Sequence, residues 1–118
     1  MANRSKQKGT SFESLITGFL VSEWDDRIIR QPLTGGKDKG DIANFRIGNH
    51  KMAIECKNVK VMNLPGWVRE AQAEAENLGG VAGVVVHKRR GVAAPGEQFV
   101  TMTLNDLLTI ISAAGGTA

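Results

Sequence analysis

The chain has 118 residues, 42% of them apolar, with a formal net charge of +3 and a pI near 9.3. That length suits one domain around one hydrophobic core, and no apolar run reaches the roughly 18 residues that a membrane span needs. A single cysteine, Cys56, excludes an internal disulfide framework and suits a reducing cytoplasm, while His50 and His87 have no partners at zinc-site spacing.

The positive charge is gathered into clusters: Arg4, Lys6 and Lys8, then Lys37 and Lys39, then Lys57 and Lys60, then Lys88-Arg89-Arg90. Such patches suit a polyanion, although a solvated surface also carries them. Tyrosine is absent and aromatics are few, which disfavours base stacking and leaves phosphate contact as the better mode.

In chain order, residues 1–9 read as a basic, flexible tail without the apolar stretch of a secretory signal. Residues 10–114 form one domain, and 115–118 a C-terminal tail. Thr10 and Glu13 have the spacing of a helix-capping box. Phe12, Leu15, Ile16, Phe19 and Leu20 then make one apolar stripe, predicting a helix over 11–24. Residues 27–33 read as a short β-like segment in which Pro32 marks an edge strand or a strand end, and 34–40 as a charged, glycine-rich loop. Strands over 41–47 and 51–57, joined by the turn Gly48-Asn49, predict a hairpin. A helix over 63–78 opens at Asn63-Leu64-Pro65 and stops at Gly79-Gly80. The β-branched run 81–86 suits a central strand, 98–103 another, and Thr103 or Asn105 caps a last helix to about residue 113. The order α-β-β-β-α-β-β-α predicts an α/β fold, a mixed β-sheet flanked by helices.

Alternation puts Glu55 and Lys57 on one face of their strand and Met52, Ile54 and Cys56 on the core face. Asp41 opens the preceding strand, within reach of Glu55 in a suitable register. Two carboxylates and a lysine suit phosphodiester cleavage: hard oxygen donors hold Mg²⁺ or Mn²⁺, and the lysine orients water or offsets growing charge.

Gly40-Asp41-Ile42 and Ile54-Glu55-Cys56-Lys57, with thirteen residues between the two acids, resemble the PD-(D/E)XK nuclease superfamily. The preceding helix with Glu13 and the loop 34–40 are similar to the branch holding archaeal-type Holliday-junction resolvases. The resemblance implies a restriction-endonuclease-like core. It also implies a divalent metal at Asp41 and Glu55 with the Cys56 carbonyl, Lys57 as catalytic lysine, and Glu13 as a further acid near the metal or its water. Gly40 stands where the superfamily's name has proline, and Thr34 is the nearest hydroxyl to the loop serine of such resolvases.

Rival structural roles stand beside these. Glu13 fits a helix cap. Gln72, sharing a helix face with Val68, Ala71 and Ala75, fits a buried hydrogen bond or a phosphate contact. Asp38 competes with Asp41 for metal but lacks an anchoring strand. Arg30, Thr34, Lys37, Lys39, Lys60, Lys88, Arg89 and Arg90 are the remaining candidates for gripping DNA. Trp24 and Trp67 read as packing residues, Cys56 as core, and His50 and His87 as surface or strand-end residues.

The expected function is therefore a metal-dependent DNA endonuclease, selective for branched DNA such as four-way junctions. Paired cuts suit a homodimer, and Leu104, Leu107, Leu108, Ile110 and Ile111 exceed what one core-facing stripe needs. A cytoplasmic, nucleoid-associated place follows, in a phage or bacterial recombination system. The alternatives are a flap, nicking or restriction-type nuclease on the same core, or a non-catalytic DNA-binding module.

Overall fold

The computed structural model describes residues 4–33 and 35–118. Its centre is a pair of parallel strands, β4 (His50–Lys57) and β5 (Ala82–His87), in register from Met52 opposite Ala82 to Lys57 opposite His87. β5 is buried throughout and β4 from Met52 to Cys56, which explains the near-continuous apolar run of β5. The helix α2 (Leu64–Leu78) connects them, as a parallel pair requires.

Antiparallel strands complete the sheet on both sides. Beyond β4 lie β2 (Ile42–Ala43) and β1 (Ile29–Arg30), with β3 (Arg46–Ile47) pairing the start of β4; beyond β5 lies β6 (Phe99–Thr101). Alternation then sorts the core. Met52, Ile54 and Cys56 with Ala82, Val84 and Val86 face the helix α1 (Arg4–Glu23) through Phe12 and Ile16. Val85 faces the other way, onto Trp67 and Ala71 of α2. Gly83 permits this second contact, because a Cβ there would stand 2.0 Å from the Ala71 carbonyl oxygen.

The last helix, α3 (Leu104–Ala113), packs against β5. Its Ile110 joins the cluster on the α1 side, while Asp106 accepts a hydrogen bond from Gln72 of α2 at 3.3 Å. Leu104, Leu107, Leu108 and Ile111, spaced as one helical stripe, are exposed. No helix among the described residues is long and apolar enough to cross a membrane.

The α/β class, the mixed sheet and the flanking helices agree with the sequence-based expectation; several boundaries differ. Helix α1 begins at Arg4, so residues 4–9 are helical and Thr10 lies inside the helix, where it caps nothing. Arg4, Lys6, Gln7 and Lys8 are good helix formers, and a helix anchored by Phe12 and Ile16 propagates back through them at little cost. The expected strand over 41–47 is split, because Asn44 adopts φ 69 and breaks the ladder between β2 and β3. Only two residues of 27–33 pair as β1. A short 3-10 turn at Pro95–Glu97 was not expected from the sequence. The caps of α2 and α3 fall as read: Asn63 accepts from the Gly66 N–H at 3.3 Å, Gly79 takes φ 71, and Thr103 accepts from the Asp106 N–H at 3.1 Å.

Candidate functional site

The antiparallel register that pairs Ile42 with Ile54 places Asp41 opposite Glu55. Asp41 is fixed there twice. Its backbone N–H donates to the Ile54 carbonyl at 2.8 Å, and its Oδ2 accepts from the Cys56 N–H at 2.8 Å. The latter N–H lies beyond the end of β2, so the carboxylate satisfies a donor the ladder leaves free. A strand residue's N–H and C=O point the same way, so the Cys56 carbonyl faces the Asp41 side as well.

Gly40 is what lets Asp41 arrive in this position. It takes φ +96, and a Cβ would stand 2.9 Å from the Ile54 carbonyl oxygen. Proline, fixed near φ −65°, does not fit that backbone. Asp38 braces the same turn, accepting from the Gly40 N–H at 2.9 Å.

Glu55 and Lys57 project toward α2, and α2 answers with acids of its own. Carboxylate oxygens of Asp38, Glu55, Glu70 and Glu74 all lie within 4.8 Å of one another, an arrangement that could hold a metal ion. Glu74 is 2% exposed, and no hydrogen-bond partner reaches either of its oxygens among the described residues. Lys57 Nζ lies 2.8 Å from Glu70 Oε1.

These contacts set the protonation of the site. Burial, then the neighbouring Asp41 and Glu74 carboxylates, push the Glu55 carboxyl up to about 12. Burial, then nearby acids led by Asp38, push Glu74 up to about 8 against an opposing effect of Glu55. For Lys57 burial works against the charge, but the Glu70 carboxylate and then Glu55 outweigh it, and the ammonium is held above its ordinary value. Burial and the Asp41 charge raise the Cys56 thiol, which is core rather than chemistry. A metal-free site of this kind keeps protons that a divalent cation would replace. Hard oxygen donors fit Mg²⁺ or Mn²⁺.

A cleft of about 560 Å³ opens beside this group, lined by Asp41, Asp38 and Glu13 and by Lys6, Arg30, Lys37 and Lys39. Glu13 lies in the cleft but outside the four-acid group; Arg30 Nη2 donates to its Oε2 at 2.8 Å. Its capping alternative is gone, since Thr10 is mid-helix.

The other candidates divide. Thr34 lies outside the described residues. Gln72 is exposed and bound to Asp106, not on the buried side of α2, because the buried stripe runs through Trp67, Ala71, Glu74 and Ala75. Lys88 bends back onto the carbonyls of Arg89 and Val92, and Arg89 stacks 4.5 Å over Phe99 while donating to the Glu97 carbonyl at 3.0 Å. Both brace their turn, which leaves Arg90 and Lys60 as the exposed cations there, with Arg90 Nη2 on the Lys60 carbonyl at 3.3 Å. His87 is a strand-end residue but buried rather than on the surface. It hydrogen-bonds Thr101 at 2.7 Å, and burial lowers its pKa.

The sequence reading did not single out Glu70 and Glu74, which the structure brings together with Asp38 and Glu55. The available signal was a glutamate in the apolar stripe of α2, where a side chain is buried and needs a partner. In comparisons with known proteins, no family model, curated protein or solved structure matches the chain.

Proposed function

We propose that this chain is a divalent-metal-dependent DNA endonuclease on a restriction-endonuclease-like core, as its PD-(D/E)XK resemblance implies. The observation that carries the reading is Asp41 held opposite Glu55, with Lys57 two residues on and on the same face. Asp41, Glu55 and the Cys56 carbonyl are the donors for Mg²⁺ or Mn²⁺, which when bound polarises a phosphoryl oxygen and lowers the pKa of water.

The residues themselves do the rest. Lys57, on the same face as Glu55, orients the attacking water and offsets charge growing on the phosphate. Asp41 is locked by the Cys56 N–H and holds its position without a ligand. Lys6, Arg30, Lys37 and Lys39 line the adjoining cleft and suit backbone phosphates; Arg90 and Lys60, just past the C-terminal ends of β5 and β4, extend that role. Glu13, tied to Arg30, positions that guanidinium at the cleft.

Branched DNA, specifically a four-way junction, is the proposed substrate, by fold-level analogy with the resolvases it resembles. The exposed stripe Leu104, Leu107, Leu108 and Ile111 supports a homodimer, which would supply paired cuts. A cytoplasmic, nucleoid-associated setting accords with these proposals. A non-catalytic DNA-binding module is disfavoured by Glu74, since burying an acid without a partner is costly and serves no binding role.

A substrate panel tests the reading. Junction, flap, nicked and linear duplex DNA are incubated with Mg²⁺ and with Mn²⁺. Symmetric paired cuts in the junction alone support the resolvase; cutting of flap or linear duplex at equal rate moves the assignment to a flap or restriction-type nuclease. Binding without cutting of any member contradicts the endonuclease.

A further inference from the structure

Glu55 has acidic neighbours from two sources. Asp41 is the partner the hairpin provides; Asp38, Glu70 and Glu74, which the hairpin does not provide, converge on Glu55 in a group that does not include Asp41. We propose that Asp38, Glu70 and Glu74, sharing Glu55, form a second divalent-cation site on the α2 side of the centre, distinct from the position at Asp41 and the Cys56 carbonyl. This deepens the nuclease reading and rests on it for the identity of the first site.

Three observations carry it. The four carboxylates converge within 4.8 Å, from a loop, a strand and two successive turns of a helix. Glu70 and Glu74, four residues apart, share one face of α2, which a purely solvated acidic helix would turn outward. Above all, Glu74 is 2% exposed, and among the described residues no donor from outside the acidic group reaches either of its oxygens. A buried carboxylate without a donor is strongly disfavoured unless a proton or a cation satisfies it.

Charge favours a cation here. Asp38, Glu55, Glu70 and Glu74 have one ion-paired cation among the described residues, Lys57 on Glu70. Ionised together with Lys57 they carry a formal charge of minus three, which a divalent ion reduces. The donors are all oxygen, which selects Mg²⁺, Mn²⁺ or Ca²⁺ over softer metals.

Occupancy of this site has a structural consequence. Glu70 now holds Lys57, so a cation drawing on Glu70 competes with the ammonium and frees Lys57 toward the cleft. The second ion would thereby couple metal loading to the position of Lys57.

The test is Mn²⁺ binding to the whole chain, followed by electron paramagnetic resonance of free Mn²⁺, in wild type, Glu70→Gln, Glu74→Gln and Asp41→Asn. Circular dichroism checks the fold of each, and Glu70→Gln alters a half-exposed residue that carries no core. The expected result is two ions in wild type. Either glutamine variant should weaken one ion about 10–100-fold and spare the other, which Asp41→Asn removes. Both glutamine variants binding Mn²⁺ as wild type does would overturn the second site and leave the Asp41 site standing. Loss in the glutamine variants but not in Asp41→Asn would support the second site while removing the Asp41 assignment. No binding by wild type overturns both.

Discussion

Lys57 Nζ sits 2.8 Å from Glu70 Oε1, joining the last residue of β4 to the middle of α2. The pair bridges the hairpin that carries Asp41 and Glu55 and the helix that carries Glu74. Since Lys57 is held charged, its loss should be read in chemistry more than in stability. Lys57→Ala is expected to lower the single-turnover cleavage rate by about 10²–10⁴-fold, with DNA affinity within a few-fold of wild type. Parallel cleavage and filter-binding measurements check this; equal losses in both would reassign Lys57 to DNA contact.

The two raised carboxyls predict how the metal-free protein responds to pH. Glu55 and Glu74 bind protons more tightly when folded, with carboxyls near 12 and 8, than in an unfolded chain near 4.5. Their stabilising contribution is complete below the unfolded value and is lost as pH rises toward the folded values, so stability in EDTA falls from about pH 4.5 upward. Mg²⁺ or Mn²⁺ should reverse the trend, stabilising more at pH 8 than at pH 5, because deprotonated acids bind it. Thermal melts across pH, with EDTA and with metal, give the comparison; a metal-free protein that grows more stable above pH 5 would contradict it.

Gly40 tests how the site is positioned. Its φ of +96 and the 2.9 Å approach to the Ile54 carbonyl leave no room for a Cβ. Gly40→Ala is expected to cost about 1–3 kcal/mol, and Gly40→Pro more, though proline is the residue the superfamily's name gives at that place. Denaturant melts measure the loss. A neutral Gly40→Pro would mean that the turn before Asp41 takes a different path.

The exposed stripe of α3 predicts assembly. Leu104 and Leu108 are 72% and 58% exposed, one turn apart on the face that also carries Leu107 and Ile111. The double change Leu104→Glu and Leu108→Glu should convert a dimer to a monomer in sedimentation, while the circular dichroism spectrum is unchanged. A wild-type chain that sediments as a monomer at micromolar concentration would remove the dimer and the paired-cut argument with it.

The centre of this fold was legible because its signals are local. Alternation placed Glu55 and Lys57 on one face, the glycine-rich turns bounded the hairpin, and β-branched residues marked β5. Glu70 and Glu74 were hidden because two acids four apart on a helix look like a solvated face. The phase of α2 was also ambiguous: Ala71, Ala73 and Ala75 are small enough to sit on either side, so a stripe drawn through Val68 put Gln72 inward. Gly83 and Trp67 fix the true phase, and that contact is long-range. Arg89 and Lys88 misled for a similar reason. A basic triplet gives no sign in sequence that one side chain will stack on Phe99 and another turn onto its own loop.

The most direct test of the central claim is cleavage of an end-labelled four-way junction by wild type and by Glu55→Gln, each with Mg²⁺ and with EDTA. Paired cuts are expected from wild type in Mg²⁺ only, and none from Glu55→Gln although it folds and still binds the junction. Cutting that persists in EDTA, or in Glu55→Gln at the wild-type rate, would contradict the claim.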